Sequence, residues 1–187
     1  MGLSVESMAI EMPTVYGHPN RAEFRGVLTV VDVASDKSPS GARGHRVLLT
    51  RRAAEAAIPS LLGMALDYSP ALDRHDARRK IGVITRAEIV GRAIEVGGFL
   101  YARDFPEIVA EISRPRRMGA VVSAGLEGAK ETARVSGTAL GMSYEIADAL
   151  VEDIKAGVWV LNRVTFTGAA VLRRDKAAYC STWIEMV

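Results

Sequence analysis

Two residues of this chain, His75 and Ser143, have the type and the surroundings that nucleophilic catalysis requires. His75 stands in a polar loop, Asp73 to Asp76, directly before an apolar strand, and an exposed imidazole there suits a general base. Ser143 lies two positions after Gly141 on a predicted strand, so the two share one face and the glycine leaves room for a substrate backbone. A serine hydroxyl becomes a strong nucleophile only when a base takes its proton. Taken singly, each is equally an ordinary loop histidine or strand serine.

Other kinds of site have little support in the sequence. The three histidines, His18, His45 and His75, form no i, i+4 pair, and Cys180 is the only cysteine. These counts exclude a cysteine zinc site and a disulfide within the chain, so neither a metal nor a cofactor is expected. The residues around Ser143 also lack the G-x-S-x-G pattern of the α/β-hydrolases.

The composition is that of a globular chain without an obvious charged partner. Its 187 residues are 49% hydrophobic, and 24 basic against 22 acidic side chains leave a net charge of +2. This near balance does not favour nucleic-acid binding. The first residues lack the basic and apolar regions of a signal peptide, and no apolar run reaches the roughly 20 residues that span a bilayer. We therefore expect one intracellular domain over residues 1–187, with residues 1–20 as an N-terminal arm and no membrane partner.

The candidate residues must be positioned by strands, since β-branched and aromatic runs dominate the pattern. Thr50 is the expected N-cap of a helix that Pro59 shortens and Gly63 ends. Short turns between neighbouring strands favour a sheet that closes on itself. The predicted fold class is α+β, mainly β: an antiparallel, nearly closed β-barrel with short peripheral helices. The other predicted elements are a strand over 22–33, a hairpin of strands 81–89 and 93–101, a helix after Asp104, strands over 135–146 and 158–170, and a closing helix over 173–179.

Three segments, in this order and spacing, resemble the prohead serine proteases of tailed phages, which are related to the herpesvirus assemblins. They are HDARRKIGVI at 75–84, LGMSYEI at 140–146 and LNRVTFTGAA at 161–170. The resemblance covers roughly residues 70 to 180. It implies a serine endopeptidase that processes scaffold and major capsid proteins during prohead maturation. The cleavage would take place inside the assembling prohead in the host cytoplasm. The resemblance also implies self-association as a homo-oligomer.

The resemblance also implies roles for single residues. Ser143 would be the nucleophile, His75 the base, and the pair Arg173 and Arg174 would help to hold the oxyanion. The family places its third catalytic residue, a histidine or an acid, near the start of the last segment. Arginine has no acceptor to orient an imidazole, so Asn162 is the candidate there, with Asp76 or Glu145 as alternatives elsewhere.

Two other interpretations stay open at this point. The departure from the family pattern at Asn162 and Arg163 is also what a catalytically inactive, protease-fold structural protein of the virion would show. The chain could equally be an unrelated β-rich binding module whose short motifs match by coincidence.

Overall fold

A computed structural model describes residues 7–114 and 139–187 of the chain. Residues 1–6 of the predicted arm and 135–138 of a predicted strand lie outside the described residues. The fold is mainly β, with two short helices. Its elements are β1 (Ser7–Ala9), β2 (Ala22–Val30), β3 (Arg46–Leu49), α1 (Arg51–Ala57), β4 (Ala65–Asp67), β5 (Lys80–Val90), β6 (Ala93–Leu100), α2 (Pro106–Ser113), β7 (Leu140–Val151), β8 (Val158–Arg173) and β9 (Trp183–Met186).

Helix α1 begins and ends as its sequence predicts. The Thr50 hydroxyl oxygen accepts a hydrogen bond from the backbone N–H of Ala53 at 3.2 Å, which satisfies one of the free amides of the first turn. Pro59 then follows in a short 3₁₀ turn, Ile58–Leu61, because proline cannot continue an α-helix. Gly63 leaves the turn with a φ of +78°, a conformation that glycine adopts without strain.

The hairpin of β5 and β6 is likewise confirmed. Its connection is the two-residue loop Gly91-Arg92, and Gly91 has a φ of +59°. Strand β2 pairs with the far side of β6, and β9 pairs with β2. All of these pairings are antiparallel, as expected.

The prediction of a wholly antiparallel, nearly closed barrel is wrong, since the sheet is mixed and curls into a half-barrel. Its nine strands include β8, which pairs with β3 and β4 in parallel and with β7 in antiparallel fashion. Strand β3 pairs with residues 158–161 of β8 and β4 with residues 169–170, and α1 with its 3₁₀ turn joins the two without reversing the chain direction. Near the start of β7, the Met142 N–H donates to Thr182 Oγ1 at 3.2 Å, and Thr182 directly precedes β9.

The closing helix expected over 173–179 is also wrong. Strand β8 continues for 16 residues to Arg173, and turns follow in which the Lys176 N–H donates to the Arg173 carbonyl at 2.8 Å. The core lies inside the curl of the sheet and includes Phe24, Leu28, Leu66, Ile84 and Phe166. Within residues 7–114 and 139–187, neither helix has the length and apolar character of a membrane span.

Candidate functional site

Ser143 and His75 come from distant parts of the chain and line the same cavity, which has a volume of about 730 Å³. Ser143 is on β7, and His75 is in the loop between β4 and β5. Loop residues 38–42 form another part of the wall, and Trp159 and Leu161 of β8 contribute apolar surface. The cavity therefore combines the two sequence-predicted residues with space for a ligand.

The loop that carries His75 is held by its own hydrogen bonds. The Ser69 hydroxyl donates to Asp73 Oδ1 at 2.8 Å and accepts from the Asp73 N–H at 3.2 Å. Leu72 has a φ of +53°, an uncommon backbone conformation for a leucine, and its carbonyl accepts from the Arg173 N–H at 2.7 Å. Because β8 and the loop are tied together here, the position of His75 is fixed relative to the sheet.

A buried carboxylate, Asp67, lies behind the histidine. Its Oδ1 is 3.6 Å from His75 Nδ1 and accepts from the Asp76 N–H at 3.1 Å, while its Oδ2 is 3.2 Å from Lys80 Nζ. Asp67 and Lys80 are cross-strand partners next to an irregularity in the β4–β5 register, and such bulges re-aim side chains. Asp67 has no exposed surface.

The pKa of Asp67 is below its ordinary value in spite of this burial. Burial by itself raises the pKa, but hydrogen bonding and charge from His75, the Asp76 amide and Lys80 together outweigh it. The carboxylate is therefore ionised at neutral pH, which places a negative charge beside the imidazole.

A second carboxylate, Glu145, approaches the same ring nitrogen. Its Oε1 is 3.7 Å from His75 Nδ1, and its side chain is 50% exposed. Glu145 lies over Gly168, its partner on β8, where a Cβ would come within 2.7 Å of Glu145 Oε2. The missing side chain at Gly168 thus makes the space that lets Glu145 approach His75.

Both ring nitrogens of His75 are buried and have no hydrogen-bond partner within the described part of the chain. The separations to Asp67 and Glu145 exceed hydrogen-bond length but are close enough for strong electrostatic interaction. Catalytic hydrogen bonds are often long before substrate is present. Both nitrogens are thus uncommitted but covered, and proton exchange with a group in the cavity requires that the atoms covering the ring move aside.

Tyr144, the neighbour of Ser143, also lines the cavity and is a neutral group at any physiological pH. Burial raises the pKa of Tyr144 to about 12, although the neighbouring Thr29 and Tyr179 side chains act in the opposite direction. Its ring packs edge-on against Phe166 of β8 at a centroid distance of 5.5 Å. This contact anchors the backbone beside Ser143 in the core.

The structure does not bring Asn162 to this cavity. Asn162 is exposed, and its Nδ2 donates to Glu152 Oε2 at 3.3 Å. Eight positions of β8 separate it from Ala170, the residue paired with Ser143. The position predicted for the third catalytic residue is thus remote from His75, because β8 runs far past the site.

The arginine pair lies at the end of β8 and not in the cavity wall as far as the chain is described. The Arg173 side chain pairs with Asp175 at 3.3 Å, and the backbone N–H of Arg174 donates to the Ala139 carbonyl at 2.9 Å. Two other cations, Arg74 and Lys176, do line the cavity. Sequence reasoning passed over both because each stands among other charged residues.

Sequence reasoning also missed Asp67. The available signal was an acid enclosed by apolar and aromatic residues, Leu66 and Tyr68, at the end of a short strand. An acid in such a place is rarely buried without a partner. Asp76 and Glu145 were the two alternatives for the third catalytic residue. Glu145 lies beside His75, whereas Asp76 contributes its backbone amide to Asp67.

Comparison with known proteins gives no further assignment, since no family model and no curated protein matches this chain. Among residues 7–114 and 139–187, no group of three or more acidic, histidine or cysteine side chains has the arrangement of a metal site. The chemistry of the site must therefore be argued from its own residues.

Proposed function

We propose that this protein is a serine endopeptidase of the prohead-protease type, with Ser143 as nucleophile and His75 as general base. The observation that carries the proposal is that these two residues, selected from the sequence alone, line one cavity from separate elements. A carboxylate cluster beside the imidazole adds support, because an ionised acid stabilises the imidazolium that forms when a base accepts a proton.

The proposed reaction follows from the groups at the site. Ser143 Oγ attacks the carbonyl carbon of the scissile peptide bond while His75 takes the hydroxyl proton. His75 then passes this proton to the leaving amine as the C–N bond breaks, which leaves an ester on Ser143. A water molecule attacks the ester, gives one proton to His75, and the acid product leaves as the proton returns to Ser143.

Charge on the tetrahedral oxyanion must be balanced by donors from the protein. Among the described residues, Arg74 and Lys176 are the cations that line the cavity. They are therefore better placed to stabilise the oxyanion than Arg173 or Arg174, which do not line it. The half-exposed Glu145 and the apolar Trp159 and Leu161 complete a wall that offers polar contacts beside Ser143 and apolar surface elsewhere.

The substrates that we propose are the scaffold and major capsid proteins of a tailed phage. Cleavage would take place inside the assembling prohead in the host cytoplasm, and the enzyme would act as a homo-oligomer. The support for these partners is the resemblance of residues 70 to 180 to the prohead proteases, together with a mainly β, curled sheet.

The test is co-expression of the protein with its cognate scaffold and major capsid proteins. We expect cleavage by the wild type, and loss of cleavage in Ser143→Ala and in His75→Ala. Ser40→Ala is the matched control, because Ser40 lines the same cavity from the loop over 38–42 and has no role in the proposed reaction. It is expected to cleave like the wild type.

Intact capsid and scaffold proteins with both wild type and Ser143→Ala would contradict the proposal. That result would favour the second function, a structural protein of the virion that keeps the protease fold. Equal loss of cleavage in Ser40→Ala and Ser143→Ala would show that the cavity matters but that Ser143 is not its nucleophile.

A further inference from the structure

We propose that Asp67 is the residue that positions His75, taking the role that sequence analysis gave to Asn162. Asp67 would accept a hydrogen bond from His75 Nδ1–H, which leaves Nε2 as the nitrogen that takes the Ser143 proton. This inference rests on the proposed function for its catalytic meaning, but the orientation of His75 can be measured without any protease activity.

Two carboxylates, those of Asp67 and Glu145, lie beside His75 Nδ1. Their distances are almost equal, 3.6 Å for Asp67 and 3.7 Å for Glu145, so distance does not decide between them. Exposure does, because the Asp67 side chain is fully buried and the Glu145 side chain is 50% exposed. Water and salt screen an exposed charge far more than a buried one, so Asp67 has the stronger interaction with the imidazole.

Asp67 is held in place by hydrogen bonds, whereas within the described part of the chain Glu145 is not. The Asp76 N–H and Lys80 Nζ both donate to the Asp67 carboxylate, one to each oxygen. Asp76 follows His75 directly, so its bond to Asp67 also draws the histidine toward the carboxylate. A positioning group must itself be fixed if it is to hold a general base in one orientation.

The register of the sheet also relates Asp67 to Ser143. Ser143 pairs with Ala170 on β8, and Ala170 pairs with Asp67 on β4, so the three residues form one row across three strands. Directly opposed residues project to the same face. Two strand spacings place the backbones of Ser143 and Asp67 about 10 Å apart. One imidazole with a hydrogen bond at each side spans such a gap, and the small Ala170 leaves space above the middle strand.

The decisive experiment is nitrogen-15 NMR of the histidine side chains, which distinguishes the two neutral tautomers directly. With three histidines in the chain, the His75 signals can be assigned from a His75→Gln variant. At a pH where His75 is neutral, we expect the wild type to carry its proton on Nδ1. The same spectrum is expected for Glu145→Gln, the matched control that alters the exposed carboxylate.

In Asp67→Asn the side-chain amide can donate a hydrogen bond to Nδ1, so the proton is expected to move to Nε2. Cleavage of the capsid substrate should then fall by roughly 10⁴-fold, the loss found when a triad is held in the wrong tautomer. Glu145→Gln should change cleavage by less than about tenfold.

Each outcome bears on the inference separately from the proposed function. A wild-type His75 with its proton on Nε2 would overturn the inference even if Asp67→Asn does not fold. So would a tautomer that changes in Glu145→Gln and not in Asp67→Asn. An Nδ1–H wild type that cleaves nothing would contradict the proposed function and leave the positioning of His75 by Asp67 intact.

Discussion

Replacing Gly98 with alanine should disrupt the central hairpin on which the site is built. Gly98 is on β6 opposite Ile84 of β5, and an added Cβ would lie 1.9 Å from the Val83 carbonyl oxygen and 2.9 Å from its carbon. Both obstacles are backbone atoms, so no side chain can rotate away. The two strands would have to separate by roughly 1 Å, which overpacks the core and breaks ladder hydrogen bonds.

The expected cost of Gly98→Ala is about 3 kcal/mol of unfolding free energy, at the upper end of overpacking penalties. For a chain of this size, that corresponds to a melting temperature lower by roughly 6 to 12 °C. Urea unfolding followed by circular dichroism gives the free energy directly, and the midpoint should fall by roughly 1.5 M.

Gly97→Ala is the matched control, one residue away on the same strand. The nearest atoms to a Cβ there are the Phe24 carbonyl oxygen at 3.4 Å and the Arg86 side chain at 3.6 Å, which are ordinary contacts. Its stability should stay within about 0.5 kcal/mol of the wild type. Equal midpoints for Gly97→Ala and Gly98→Ala would refute the β5–β6 register.

Three further perturbations test the surroundings of the site. The lowered pKa of Asp67, whose carboxylate faces His75 and Lys80, contributes stability above the ordinary carboxyl pKa of about 3.9. The advantage of wild type over Asp67→Asn should therefore shrink as pH falls below about 4, and an advantage that grows in acid would contradict this. Gly168→Ala should push the flexible Glu145 side chain away while changing stability by less than about 1 kcal/mol, and urea unfolding checks this. Thr182→Val should cost about 2 kcal/mol in the same assay, because it leaves the buried N–H of Met142 without its acceptor, and an unchanged midpoint would contradict the bond.

Local parts of the fold could be predicted because their causes are local. The Thr50 cap, the interruption of the helix at Pro59 and the two-residue turn at Gly91 each depend on a few neighbouring residues. The hairpin of β5 and β6 follows from two apolar strands joined by that turn. In each case the residue types alone specify the conformation.

The mixed character of the sheet could not be predicted in this way. The parallel pairing of β3 and β4 with β8 joins residues that are far apart in sequence, such as Leu49 with Leu161 and Leu66 with Ala169. No local pattern encodes such pairing. An antiparallel sheet is therefore the expectation from short turns, and nothing in the sequence identifies α1 as the link between two strands that both run parallel to β8.

The residues of the candidate site show the same difference between local and long-range causes. Ser143 and His75 could be selected because each has a recognisable setting and a place in the family pattern. Asp67 could not, because its position beside His75 depends on its register with Lys80 and with Ala170. Asn162 was selected from the order of segments, and the length of β8 carries it away from the cavity.

The most direct measurement of the central claim is labelling of the purified protein with a fluorophosphonate, a probe that bonds to activated serine hydroxyls. Peptide mass spectrometry then locates the adduct. We predict an adduct on Ser143 in the wild type and in Ser40→Ala. We predict none in His75→Ala, because the Ser143 hydroxyl is activated by the His75 imidazole. An adduct on another serine, or a wild type that is labelled no faster than His75→Ala, would contradict the assignment of Ser143 and His75 as a catalytic pair.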